Sequence, residues 1–103
     1  MSILGNFVRL VPDKPKRLKL TRPRIEERII RDPKTGRTKV VRALVFDVLE
    51  EDGLPVSKIF STLSEKLAAQ LLAIWEHRRA DYIDVTIIWH PRDFATEYEV
   101  IVH

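Results

Sequence analysis

The chain contains no cysteine, which excludes disulfide frameworks, thiolate nucleophiles and thiolate-ligated zinc together. Glycine occurs three times, at Gly5, Gly36 and Gly53, and never in a GxGxxG or GxxxxGK arrangement. The phosphate-cradling loops built on those spacings are therefore absent. No stretch approaches the roughly 18 uninterrupted apolar residues that signal a membrane-spanning helix, and Met1 to Leu10 lacks a cationic start followed by an apolar run. The expectation is a protein neither exported nor inserted in a membrane, with a cytoplasmic location. Amide side chains are nearly missing, with Asn6 and Gln70 alone, whereas Ile, Leu and Val total 31. High temperature favours that balance, because amides are labile and ion pairs cost less desolvation in hot water. A thermophilic source is expected.

What the chain does carry is aliphatic bulk and charge. At 103 residues, 45% of them hydrophobic, it is long enough for one core and short for two. The net charge of +3 conceals a division along the chain. Between Arg9 and Arg42 thirteen Lys or Arg stand against four acids, whereas from Ala43 to His103 five bases stand against eleven acids. Such a chain can offer its basic part to a polyanion, or fold it against acids of its own or of another subunit.

Asn6 to Val11 alternates weakly and reads as a short strand ended by Pro12. From Pro12 to Pro23 three prolines stand among five bases, a mixture that blocks a helix and favours an extended path. This segment reads as a basic arm, with Leu18 and Leu20 spaced to lie along a sheet edge. Residues 1–23 are thus expected as an N-terminal segment with its arm, and 24–103 as a single α+β domain. Arg24 to Arg31 and Arg37 to Leu49 are rich in β-branched residues and flank Asp32-Pro33-Lys34-Thr35-Gly36, a strong hairpin signal. A turn at Glu50 to Gly53 leads to a strand from Val56 to Phe60. Thr62 with Glu65 fits a capping box, and Leu63, Leu67, Leu71 and Ile74 recur at helical spacing, predicting a helix over Thr62 to Arg79. Tyr82 to Trp89 and Thr96 to Val102 alternate as two further strands around a turn at His90 to Asp93. The fold class is α+β: an antiparallel sheet of about five or six strands, in the order β-β-β-β-α-β-β, with one long amphipathic helix on one face. One helix about 10 Å across cannot cover a sheet roughly 20 to 25 Å wide, so a homodimer is expected unless the sheet curls around the helix.

His77, His90 and His103 form no metal-ligand spacing, Ser61 and Ser64 suit a helix start, and no catalytic, metal or cofactor site is predicted. Asp47, Asp84, Glu97 and Glu99 could share the outer sheet face, where carboxylates either hold Mg²⁺, meet solvent or receive basic side chains. The basic segment carries the functional reading. Lys14, Lys16, Arg17, Lys19, Arg22, Arg24, Arg28, Lys34, Arg37, Lys39 and Arg42 are the candidate phosphate contacts, dense enough to act together. No aromatic lies between Phe7 and Phe46, so a base-stacking platform would have to use Tyr82, Trp89, Phe94 or Tyr98. The expected function is a small non-enzymatic nucleic-acid-binding protein, gripping the DNA or RNA backbone with low sequence selectivity. The alternative is an assembly subunit whose basic arm docks on an acidic surface of a neighbour or of a larger protein complex.

Overall fold

The structure, a computed structural model, describes residues 6–93 and 95–103. Its elements are β1 (Lys16–Arg31), β2 (Thr38–Glu51), β3 (Leu54–Thr62), α1 (Glu65–Arg78), β4 (Ile83–His90) and β5 (Glu97–Val102). The strands form one antiparallel sheet in the spatial order β3-β2-β1-β4-β5. The α+β class with a single helix is as expected, with five strands among the described residues. Strands β1 to β3 run as a meander, and β4 returns through α1 to lie beside β1, which makes a Greek key. No helix of the described residues is long and apolar enough to cross a membrane.

The strand expected over Asn6 to Val11 does not form. Phe7 makes an isolated parallel bridge to Ile59, and the Val8 amide donates to the Ile59 carbonyl at 2.9 Å. Val8 is drawn into the core, so this segment covers the edge of β3 at one point instead of extending the sheet.

The larger correction concerns the basic arm. From Lys16 onward it is the first half of β1, the central strand, paired with β2 on one side and β4 on the other. Leu18 and Leu20 are fully buried. Burying two leucines gains about 1.5–3 kcal/mol each, and both flanking ladders satisfy the backbone, which together favour pairing over a solvated arm. The prolines do not obstruct this. Pro15 precedes the strand, and Pro23 sits in a bulge between Thr21 and Arg24, where the ladder is interrupted and Arg22 adopts a φ of 57°. The boundary expected between residues 23 and 24 therefore falls inside a bulge of the central strand, and both sides of it belong to one sheet.

The inner sheet face presents Leu18, Leu20, Leu44, Phe46, Val85 and Ile87 to Leu67 and Leu71 of α1, all in one buried cluster, with Val100 against its edge. Phe46 and Trp75 meet edge to face, 6.4 Å between centroids. The β2–β3 hairpin closes on Asp52 and Gly53, with φ of 50° and 86°, the paired left-handed residues of a two-residue turn whose twist matches the strands.

Helix α1 starts three residues later than expected. Thr62 stays in the β3 ladder opposite Leu44, and its hydroxyl accepts from the Ser64 amide at 3.1 Å. Ser64 is the N-cap, its Oγ accepting from the Leu67 amide at 3.2 Å. Leu63 consequently precedes the helix and is 52% exposed, not part of the buried stripe. Arg79 takes the left-handed C-cap conformation just past the last turn, where His77 and Arg78 oppose the negative end of the dipole.

Leu71→Ala should lower the unfolding free energy by about 2–5 kcal/mol, through lost transfer energy and the cavity left behind. Ser64→Ala should cost about 0.5–2 kcal/mol, and Lys66→Ala, on the exposed flank, under about 0.5 kcal/mol. Denaturant melts of the three variants read this order directly, and an equal loss at Lys66 and Leu71 would show that the buried face is assigned wrongly.

Candidate nucleic-acid interface

The fold divides the eleven candidate bases into two groups at the β1 bulge. Lys16, Arg17, Lys19, Arg22 and Arg24 all lie in ion pairs. On the outer sheet face Arg17 grips Asp84 through two bonds, Nε to Oδ1 at 3.0 Å and Nη2 to Oδ2 at 2.9 Å. Lys19 meets Glu50 at 2.8 Å and lies 5.2 Å from the Tyr82 ring centroid, while Arg24 meets Asp47 at 3.1 Å and Arg22 meets it at 3.4 Å. On the other side Lys16 contacts Glu51 at 3.1 Å and Asp52 at 3.0 Å, and Lys58 adds a second cation, 2.6 Å from Glu51. The register explains these contacts, because Lys19 stands directly opposite both Glu50 of β2 and Asp84 of β4. Of the four carboxylates expected on the outer face, Asp47 and Asp84 receive the chain's own basic side chains.

Beyond the bulge the situation reverses. Strand β4 pairs with β1 no farther than Leu20, and β3 pairs with β2 no farther than Leu44. The six pairs from Glu26↔Ala43 to Arg31↔Thr38 form a two-stranded ribbon, about 20 Å long at 3.3–3.4 Å per residue, with no third strand on either side among the described residues. At its tip the Asp32 amide donates to the Arg37 carbonyl at 2.8 Å, the Gly36 amide to the Asp32 carbonyl at 2.8 Å, and the Lys34 amide to Asp32 Oδ1 at 2.8 Å. Gly36 supplies the positive φ of 70° that this closure requires. The tip is thus an ordered turn holding Lys34 and Arg37 in fixed relation.

Arg28, Lys34, Arg37, Lys39 and Arg42 lie on this ribbon, and none has a carboxylate within 4.0 Å among the described residues. Arg31, at the ribbon's end opposite Thr38, belongs with them and was missed as a candidate. Its signal was the position flanking the turn, which the hairpin pattern already marked. Lys14 stands apart, in the exposed loop before β1. The structure therefore brings six unpaired bases together on one projecting element.

Two of the histidines have local partners, whereas the buried Trp89 Nε1 has none among the described residues. His90, at the end of β4, places Nδ1 2.6 Å from Asp13 Oδ1 and Nε2 3.3 Å from Glu99 Oε2. His103 Nε2 lies 2.6 Å from Thr86 Oγ1. Phe94 lies outside the described residues. Trp89 and Tyr98, opposite each other on β4 and β5, line a cleft with Val8, Phe60 and Leu67 and are not on the ribbon, which itself carries no aromatic residue. Comparison of the chain with protein families, curated proteins and solved structures finds no match.

The ion pairs set a pH dependence. Arg17 holds Asp84 below the usual carboxylate range, Lys58 and then Lys16 do the same for Glu51, and the Arg17 amide with Lys16 does so for Asp52. Asp13, then Glu99, raise His90 above its ordinary 6.5. Depressed carboxylates stabilise the fold above the unfolded range of about 4 and lose that contribution as pH falls through their lower folded values. The raised histidine stabilises below about 6.5 and loses its contribution as pH rises through its higher folded value. Unfolding free energy measured from about pH 2 to 9 should therefore fall at both ends. Asp84→Asn should flatten the acid limb and His90→Gln the alkaline one. An acid limb unchanged by Asp84→Asn would rule out the Arg17 pair as its source.

Proposed function

We propose that this protein is a small, non-enzymatic nucleic-acid-binding protein that grips the phosphate backbone with its β1–β2 ribbon. The observation that carries the reading is the concentration of unpaired Arg28, Arg31, Lys34, Arg37, Lys39 and Arg42 on one element, whereas the five bases nearer the sheet centre are ion-paired. Charges already matched by carboxylates contribute little to a polyanion, because the ion pair must be given up first. Unpaired bases on a narrow ribbon release counterions from the nucleic acid at no such cost. A two-stranded ribbon also has the cross-section that a duplex major groove admits.

The connectivity adds weaker support. Five-stranded, partly open Greek-key sheets include OB-type domains, which hold oligonucleotides on a sheet face and on the loops joining strands 1 to 2 and 4 to 5. The Asp32–Arg37 turn stands at the first of these loop positions. A shared connectivity does not fix an activity, and the weight rests on the ribbon's charge. With no aromatic on the ribbon, recognition goes to the backbone, and selectivity among sequences is low. The second reading, assembly with a protein partner, draws on a different feature of the same ribbon, its exposed apolar side chains.

Fluorescence anisotropy of a labelled duplex titrated at several salt concentrations tests the proposal. With about six phosphates neutralised, log K should fall with log salt with a slope of about −5. Replacing Arg28, Lys34, Arg37 and Lys39 together by Ala should reduce the slope to about −2, equally for unrelated sequences. Arg17→Ala should leave the slope unchanged and lower stability instead. Absence of binding at low salt, or binding indifferent to salt, would refute the proposal.

A further inference from the structure

The ribbon carries more exposed apolar surface than phosphate binding can use. Ile25, Ile29 and Val40 are 55%, 74% and 61% exposed, and Leu63, just before α1, is 52% exposed. Phosphate oxygens gain nothing from these side chains, and a contiguous apolar patch on a small protein marks an interaction surface. The patch is concave. Between the ribbon and the N-terminal half of α1 lies a groove of about 830 Å³ with Ile25, Val40, Leu44, Leu63 and Leu72 in its wall. Lys39 and Arg42 stand on the ribbon side of this groove, with Glu65 on the helix side.

One further feature specifies what fits. Strand β3 ends opposite Leu44, so among the described residues β2 from Thr38 to Ala43 has no strand on the side away from β1. Alternate backbone amides and carbonyls of that stretch point outward from the β1 ladder, a template for one more strand. The groove runs beside it.

We propose that this groove is a docking site for an extended segment of another protein, in which acidic and apolar residues alternate. Added to the free edge of β2, such a segment would place its apolar side chains on the face of Val40 and Leu44, against Leu63 and Leu72, and its carboxylates on the opposite face, near Lys39. Main-chain hydrogen bonds supply affinity in this mode, and the pockets for alternate side chains supply selectivity. A second copy of the chain is the poorer occupant, since pairing β2 with β2 would set Lys39 and Arg42 of one copy against those of the other. A homodimer, as expected from the sequence, would have to use a different face. Lys39 and Arg42 belong both to this groove and to the proposed phosphate-binding set, whereas Lys34 and Arg37 at the tip belong to the latter alone, so substitution at the tip tells failure of one reading from failure of the other.

Selection from a phage-displayed library of random decapeptides against the intact protein tests it, followed by titration of ¹⁵N-labelled protein with the synthetic peptides recovered. The expected result is a consensus of alternating acidic and apolar residues, with amide shifts centred on Lys39–Arg42 and Leu63–Glu65. Val40→Thr, which keeps strand propensity, and Lys39→Glu should each weaken the peptide at least tenfold while circular dichroism stays at the parent spectrum. Arg37→Ala at the tip should leave peptide affinity unchanged. Failure to recover any binder, recovery of peptides without acidic residues, or shifts mapping elsewhere would overturn the proposal. It would also be overturned if a single-stranded oligonucleotide bound the same amides with the same sensitivity to Val40→Thr, or if sedimentation showed a dimer abolished by that substitution. Either result would assign the groove to nucleic acid or to a second copy.

Discussion

The structure depends on the placement of one strand with two incompatible-looking faces. Leu18 and Leu20 point inward from β1 to a core closed by Leu67 and Leu71, while Arg17 and Lys19 point outward. An arrangement that buried the leucines and left the outer face with bases alone would set like charges on adjacent strands. Asp84 on β4 and Glu50 on β2 remove that repulsion from both sides. The central position is therefore an electrostatic solution as much as a hydrophobic one. It requires β1 to be flanked by strands from the acidic part of the chain, which the Greek key provides.

The bulge at Arg22 and Pro23 is the consequence that matters for function. Before it, β1 belongs to a sheet four or five strands wide. A little after it, from Glu26 and Ala43 onward, β1 and β2 continue without a third strand among the described residues. The same class of side chain has different surroundings on the two sides: bases within the sheet neutralise neighbours, and bases on the ribbon have no carboxylate within 4.0 Å among the described residues. Pro23 is tolerated there because the ladder is already broken. Apolar residues divide similarly, since Leu44 and Phe46 meet the helix whereas Ile29 and Val40 extend past it into solvent.

Charge and apolar surface on one ribbon suit two kinds of contact in different places. The tip concentrates fixed positive charge on an ordered turn, and the base of the ribbon combines a free strand edge, a greasy wall and a few cations. A protein bound at the base would leave the tip accessible, so one chain could join a protein to a nucleic acid. That arrangement reconciles the binding and assembly readings of the basic segment.

Much of the fold was legible from local pattern. The clean alternation of β4 and β5, the helical spacing of Leu67 and Leu71, the turn chemistry of Asp52-Gly53 and the hairpin around Pro33 and Gly36 each rest on interactions between residues close in sequence, which period and turn preference encode directly. The same holds for the excess of base before Arg42. What local pattern could not decide was the partner of each strand. Lys16 to Thr21 has the composition of a solvated arm. Its two leucines become core only because Val85 and Val48 lie on either side of it, contributed by residues 28 to 67 positions away. Sequence also gave Lys19 and Lys39 equal standing as phosphate contacts. Tertiary structure separates them by setting Glu50 against one and Ile30 against the other, since ion pairing depends on register across strands, and register is a property of the assembled sheet.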